Sequence, residues 1–506
     1  MTTVLLGQSY YMRFDPKEWE GMKPYPPLGT LYAASYLRER GYDARLFDSM
    51  LAETEAEWAD ALDLHKPQFA VIYEDSFNYL SKMCLSRMRE AAFTMISAGA
   101  ARGIPVLVSG SDATDHRAKY FARGASAIII GEGEITLAET LDSLTGRAAT
   151  PLTDIPGLAL PEHPNPARRG FIKDLDALPF PAWDLVDIDR YRSAWLKHHG
   201  YYSMNMVTTR GCPYHCNWCA KPIYGQRYNV RSPESVAAEL RWLKEHFAPD
   251  HIWFADDIFG LKPGWIERFA AEVNRLDAKV PFKCLLRVDL IKPGIPEALK
   301  RAGCEIVWVG AESGSQKILD AMDKGTKVEQ IYSAARDLHD QGVKIAFFLQ
   351  FGYPGEDRQD IEATLRMVRE CRPDDIGMSV SYPLPGTRFY DNVRAQLGDK
   401  QNWLDSGDFE MMYTGPYSSD FYRKLHTVLH KEYRAGKAWR SLRPAKERKA
   451  ATSLARAAAT MVYNLATLPI ERRKLEALAR RPNPSPLALP RILSPEAAAT
   501  PSAQAE

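Results

Sequence analysis

The sequence predicts an α/β protein. A doubly wound, flavodoxin-like N-terminal domain precedes a partial parallel (β/α)6 barrel, and a helical C-terminal extension follows. Three observations predict it. Short, nearly continuous apolar strands alternate with amphipathic helices over 1–148, the same alternation resumes over 204–395, and a proline-rich stretch separates the two runs. Apolar strands without polar alternation belong to parallel sheets covered on both faces.

In the first run the strands read as Val4–Gly7, Ala44–Asp48, Phe69–Tyr73, Pro105–Ser109 and Ala127–Ile130. Helical spacing, as in Leu31, Ala34 and Leu37, predicts helices near 28–40, 52–64, 80–98, 115–122 and 135–144. Five such units suit a doubly wound sheet, whose ligands bind beyond the carboxyl ends of the strands. Residues 149–203 hold prolines at 151, 156, 161, 164, 166, 179 and 181 and read as a linker draped over a surface. The second run offers strands at Met204–Thr208, His251–Phe254, Phe282–Leu286, Ile306–Val309, Ile345–Phe351 and Ile376–Tyr382. Helices are expected at 233–246, 263–275, 315–322 and 328–341. In such a barrel the chemistry sits at the C-terminal strand ends.

The remaining 396–482 is basic. Between 431 and 481 there are 14 Lys/Arg against four Asp/Glu, and Ala450–Leu468 reads as a helix with Leu454, Met461, Leu465 and Leu468 on one face. A docked helix with a solvated basic face is the plain expectation. Weak contact with an anionic membrane surface is the sharper one. The end, 483–506, is rich in Pro, Ala and Ser and reads as disordered.

Composition excludes several classes. Of 506 residues 45% are hydrophobic and 25% charged, which is ordinary for a globular chain and unlike a disordered one. With 65 Lys+Arg against 64 Asp+Glu, the overall charge gives no reason to expect nucleic acid, and an RNA-modifying role for the basic segment is disfavoured. No apolar run reaches the roughly 18–20 residues of a spanning helix. Met1-Thr2-Thr3-Val4 lacks the basic start of a secretory signal, so a cytoplasmic location is expected. Seven cysteines are too few for a disulfide scaffold, and three lie within eight residues.

Those three form Cys212-x3-Cys216-x2-Cys219, directly after a predicted strand. Thiolates in one short loop can hold three corners of an iron–sulfur cubane, leaving one iron open. A structural zinc site would need a fourth ligand, which His215 could supply only under strain. Cys84, Cys284, Cys304 and Cys371 are dispersed and read as buried thiols.

The cysteine string, with Trp218 before its last member, resembles the signature of the radical S-adenosylmethionine (radical SAM) superfamily. Further segments are similar: Trp253–Phe259 with Asp256-Asp257, Arg287-Val288-Asp289, Gly310–Ser315 with Glu312-Ser313, and Gly352–Glu356. Pro26-Pro27-Leu28-Gly29, Gly131-Glu132-Gly133-Glu134 and Leu178–Trp183 resemble the cobalamin-binding subgroup. The resemblance spans about 1–395. It implies that Cys212, Cys216 and Cys219 ligate a [4Fe-4S] cluster whose fourth iron chelates S-adenosylmethionine. One electron, from a flavodoxin- or ferredoxin-type donor, then releases a 5′-deoxyadenosyl radical. It implies S-adenosylmethionine contacts at Trp218, Asp256, Arg287, Glu312 and Ser313. It implies cobalamin contacts at Gln8, Ser9, Ser76, Phe77, Gly110, Ser111, Gly131, Glu132 and Gly133. The Asp-x-His-x-x-Gly string of many cobalamin proteins is absent, since Asp63-Leu64-His65 is followed by Gln68 where glycine is required. Either cobalamin binds without a histidine ligand or the domain has lost it.

The function so implied is methyl transfer to an unactivated carbon or phosphorus of a small or lipid-like metabolite. The same cofactors used for cyclisation or rearrangement are the alternative, and a non-catalytic iron–sulfur or zinc protein is the alternative of another class. A methylthiotransferase is disfavoured, because its N-terminal domain needs three cysteines and this one has only Cys84.

Overall fold

The computed structural model describes residues 1–221, 223–442, 451–481 and 483. Of the segment 483–506, read above as disordered, Asn483 donates to the Gly415 carbonyl at 2.6 Å and the rest lies outside the described residues.

The N-terminal sheet contains β1 (Thr3–Gly7), β2 (Asp43–Phe47), β3 (Phe69–Tyr73), β4 (Val106–Ser109), β5 (Ala127–Ile129) and β6 (Leu158–Ala159). Its order is β2-β1-β3-β4-β5-β6, parallel except for β6, which runs antiparallel to β5. Alternate residues enter two different cores. Val4, Leu6, Val71 and Leu107 pack on one face, and Leu5, Ala70, Ile72 and Val108 on the other. Burial on both faces is why these strands lack polar alternation. The expected helix 80–98 is instead two, Tyr79–Lys82 and Ser86–Ala100, because Cys84 takes a left-handed φ of 55° between them. The expected helix 115–122 is likewise two short ones, Ser111–Asp115 and Arg117–Phe121, meeting at His116.

The proline-rich stretch is not simply draped. It supplies β6 and a helix, Ile188–His199, started by the Asp187 side chain accepting from the Arg190 N–H and ended at Gly200 with φ 75°. Trp183, Tyr191 and Trp195 are each at most 2% exposed, so the stretch is a packed joint. The Trp195 indole donates to the Pro24 carbonyl at 2.7 Å.

The second sheet has a short ribbon beside it, β8 (Thr209–Arg210) with β9 (Asn229–Val230). Its own strands are β7 (Ser203–Met206), β10 (His251–Phe254), β11 (Phe282–Leu286), β12 (Cys304–Glu312), β13 (Lys344–Phe351) and β14 (Asp375–Val380), all parallel and in sequential order. Helices Pro233–Phe247, Trp265–Arg275, Ile295–Ala302, Val328–Asp340 and Arg358–Cys371 connect them. One strand face, including Met204, Ile252, Phe282, Val307 and Ile345, shares a core with helix residues such as Leu240, Phe269 and Leu338. The other face is only partly covered and forms the concave inside of an open half-barrel. Trp253 lies on that inner face and is half-buried.

Residues 402–413 fold back over the N-terminal domain. Ser406 donates to Asp15 through its N–H at 3.1 Å and its hydroxyl at 2.7 Å, and the Ser86 N–H donates to the Trp403 carbonyl at 2.9 Å. Helices Ser419–Leu442 and Ala451–Ala479 then pair, with Lys424 and Glu471 in contact at 2.6 Å. The packed side of the second runs through Asn464 and Leu475. Leu465, expected on the docked face, is 52% exposed. Among the described residues no helix is long and apolar enough to cross a membrane.

Candidate functional site

The cysteine loop leaves β7 under tight control. Both Asp256 oxygens are occupied in holding it: Oδ1 accepts from the N–H groups of Thr208 and Thr209 at 2.6 and 2.9 Å, and Oδ2 from the Thr208 hydroxyl at 2.6 Å. Burial pushes the Asp256 carboxyl up to about 6, and the threonine hydrogen bonds oppose that rise. Asp256 is therefore a loop anchor and not the free S-adenosylmethionine contact that the resemblance implies. Gly211 follows with φ 82°, and a Cβ there would stand 2.4 Å from the Arg227 carbonyl, so only glycine makes this turn.

The far side of the loop is pinned by Asn217. Its N–H donates to the Met322 carbonyl at 3.0 Å, its amide nitrogen to the Ala321 carbonyl at 2.7 Å, and its amide oxygen accepts from Tyr353 at 2.9 Å. Between these anchors Cys216 is buried, Cys212 and Cys219 are half-buried, and His215 is exposed.

Two cations attend Cys216. The Arg287 guanidinium lies 3.8 Å from its sulfur and 3.6 Å over the Tyr214 ring. Arg287 also pairs with Asp289 and donates to the Lys324 carbonyl, so its fork is spent within the protein. Lys324 pairs with Glu312 at 2.8 Å, with both side chains no more than 7% exposed. Glu312 ends β12 at a register irregularity with a left-handed φ of 57°, a conformation that costs a non-glycine residue about 1 kcal/mol or more and concentrates at functional sites. Ser313 is engaged in its turn, its hydroxyl 3.2 Å from that of Thr364 and accepting from the Ser315 N–H. Trp218 is half-buried, and its indole N–H has no partner among the described residues.

The donor set fits an iron–sulfur cluster. Soft sulfurs and neighbouring cations favour thiolate ligation. Among the described residues no three His, Cys, Asp or Glu side chains gather closely enough to hold a single ion. A cubane instead spreads its ligands over separate corners. Burial pushes the Cys212 thiol up and the Cys219 thiol to about 12, with Lys221 opposing both shifts, so cluster assembly must release protons.

The strand ends of the N-terminal sheet face this loop. Lys82 reaches Asp257 at 2.6 Å. Arg210, next to Gly211, contacts Glu132 at 3.1 Å and Glu134 at 2.7 Å. Glu132 also accepts from the Ile172 N–H, so it is an interdomain tie and not a free ligand contact. Other residues of the implied cobalamin set are engaged as well. Ser9 donates twice to Glu74, whose carboxyl burial pushes up to about 8. Ser111 donates to the Ser81 carbonyl, and Ser76 is buried beside Tyr224. Phe77 stacks on Tyr224 with centroids 5.4 Å apart. Added Cβ atoms at Gly110 and Gly133 would collide with Glu74 and Tyr73, so both glycines serve packing, whereas at Gly131, with φ 82°, a Cβ would meet no atom closer than the Ile223 carbonyl at 3.9 Å. Gln8 differs: it is fully buried, and neither amide atom has a partner among the described residues. That orphaned amide is the feature of this sheet end that fits a polar ligand.

Sequence reasoning missed Tyr79, Lys82, Arg210 and Lys324. Tyr79, on the helix Tyr79–Lys82 after β3, is 57% exposed, and the ionisable groups acting on it are Cys219 and Glu312, so it borders the cysteine loop. None of the four belongs to a spaced motif; each gains its place from a partner on a distant segment.

A strand-end loop of three cysteines on an open parallel half-barrel, facing a doubly wound sheet, defines a radical SAM architecture. The family model described as the Radical SAM superfamily matches residues 206–368. The half-barrel that carries the cysteine loop is therefore a radical SAM domain. An uncharacterized methyltransferase of Pyrococcus horikoshii is 27% identical over 389 residues, 75% of this chain and 81% of that protein. The anaerobic magnesium-protoporphyrin IX monomethyl ester cyclase of Synechocystis is 24% identical over 72% of each chain. Among solved structures, the cobalamin-dependent radical enzyme OxsB superposes with a TM-score of 0.68 at 17% identity, covering 94% of this chain and 72% of its own. The methyltransferase TsrM of Kitasatospora setae gives 0.64 at 17%, covering 79% and 77%. The α/β fold, with its N-terminal sheet, half-barrel and C-terminal helices, is thus the architecture of cobalamin-dependent radical SAM enzymes.

Proposed function

We propose that this chain is a cobalamin-dependent radical SAM methyltransferase acting on an unactivated carbon or phosphorus of a small or lipid-like metabolite. The observation that carries the reading is the facing of the two sites: the cysteine loop and the N-terminal strand ends are tied by Arg210 to Glu132 and Glu134 and by Lys82 to Asp257. Relatives described as methyltransferases support it.

When bound, the cluster and S-adenosylmethionine would supply a carbon-centred radical, and cobalamin a methyl group. Cys212, Cys216 and Cys219 would hold the cluster. Arg287 and Lys324 place positive charge beside the Cys216 sulfur. Glu312, held by Lys324, would orient a polar end of S-adenosylmethionine beside Trp218. Gln8 would give one donor and one acceptor to cobalamin. Enclosure by both domains excludes water from a reactive radical. The reading requires a flavodoxin- or ferredoxin-type electron donor and a reducing compartment, the cytoplasm, in keeping with seven free cysteines. The exposed Val462, Tyr463 and Ile470 beside Arg472 and Arg473 suit weak contact with an anionic membrane surface.

Anaerobic reconstitution tests it. Four irons per chain, 5′-deoxyadenosine, S-adenosylhomocysteine and a substrate heavier by one methylene are expected. Ring formation without a mass gain of that kind would favour the second reading, cyclisation, which the 24% identity to the Synechocystis cyclase supports.

A further inference from the structure

The inner face of the half-barrel has its own chemistry. Register places Trp253 beside Lys283, and Leu285 beside Trp308 one step further along the strands. Trp308 and Phe348 follow with ring centroids 4.6 Å apart, and Phe348 remains 39% exposed. An open strip of aromatic surface inside a barrel is unusual for a packing face and usual for a ligand face. Near the start of the strip, the Lys283 ammonium lies 4.8 Å from the Trp253 ring centroid and 5.3 Å from that of Tyr25. It has no hydrogen bond or ion pair among the described residues. Four residues further along the same strand path, about 13 Å at ~3.3 Å per residue, Arg287 reaches Cys216 with its guanidinium.

We propose that this inner face binds the substrate. The substrate would have a flat or elongated apolar body ending in a carboxylate, with the carboxylate received by Lys283 and the body lying along Trp253, Trp308 and Phe348 toward Cys216. A half-buried cation that lies against two aromatic faces is met by an anion that carries its own apolar surface. Burial lowers Lys283 to about 7, Lys23 adds to that, and Asp375 and Glu18 oppose it. Nearby His251 is lowered to about 3 and Tyr25 is raised, so both stay neutral near pH 7. A bound carboxylate holds the proton on Lys283. The proposal rests on the radical SAM reading only in taking Cys216 to mark the reacting end.

The test uses the iron-loaded full chain and two probes, 1-pyrenebutyrate and the neutral 1-pyrenebutanol, read by quenching of tryptophan fluorescence. The wild type is expected to prefer the carboxylate by about tenfold or more near pH 6.5. That preference is expected to shrink as pH is raised toward about 9, as Lys283 loses its proton. Lys283→Met is expected to abolish the preference while still binding pyrenebutanol, Lys283→Arg to restore it, and Trp308→Ala to weaken both probes. Circular dichroism checks that each variant is folded. Equal binding of the two probes, no binding of either, or a preference that survives Lys283→Met overturns the proposal. Probe preference in a protein that makes no 5′-deoxyadenosine would instead count against the radical reading and leave the binding face standing.

Discussion

Arg210 and Glu134 meet at 2.7 Å with each side chain 3% exposed, and they join β8, just before the cysteine loop, to the start of the helix Glu134–Leu144 that follows β5. Glu132 completes the arrangement, and the Tyr32, Phe77 and Tyr224 rings surround the guanidinium. A charge so enclosed is costly to strand alone. Arg210→Met should destabilise the protein by about 3–5 kcal/mol, because two buried carboxylates lose their counter-ion. Denaturant unfolding followed by tryptophan fluorescence measures it, and a loss under 1 kcal/mol would contradict the assignment.

Cys216→Ala should leave the circular dichroism spectrum unchanged and abolish both iron retention and 5′-deoxyadenosine formation. The removed sulfur is a cluster ligand in the proposed function, and the loop remains pinned by Asn217 and Asp256. Iron content near four per chain in this variant would refute the ligand role.

Asp256→Ala removes three hydrogen bonds from Thr208 and Thr209. The expected cost is about 1–3 kcal/mol in stability. Faster loss of iron under chelator is also expected, because the base of the loop is released. If Asp256 served S-adenosylmethionine alone, iron retention would match the wild type.

Glu74 predicts a pH signature. Its folded carboxyl sits near 8, above the ordinary 4.5, because burial outweighs the hydrogen bonds from Ser9. Between those values the folded chain holds a proton that the unfolded chain has released, so stability falls as pH rises through the window. Glu74→Gln stays neutral throughout. The difference in Tm, wild type minus variant, should therefore decline from about pH 5 to about pH 8 and level off above. A difference that stays constant would place the carboxyl in water.

Some of this was legible in the sequence for plain physical reasons. Strands β3, β10 and β11 sit at the residues the sequence marked, since the strand face buried against helices is apolar in each. The cysteine loop was readable because its ligand spacing is local. Trp253 was not: in a half-barrel both faces accept apolar residues, so a tryptophan on the inner face looks like core. Glu132 was misread because its partner Arg210 lies 78 residues away. The helix Ile188–His199 hid behind the prolines before it and carries just two deeply buried side chains, Tyr191 and Trp195. Leu465 fell on the right helical stripe, but the partner helix touches a strip running through Asn464 and Leu475.

The clasp between Ser406 and Asp15 spans 391 positions. Asp15 is 2% exposed in the finished molecule, and Ser406 supplies two of the donors to its carboxylate. During synthesis the ribosome delivers Asp15 long before Ser406, so the first domain must wait, with that corner wet and unsealed, until some four-fifths of the chain has emerged. Long-range closure of this kind slows folding. It also makes the final fifth of the polypeptide a finishing piece for the first domain.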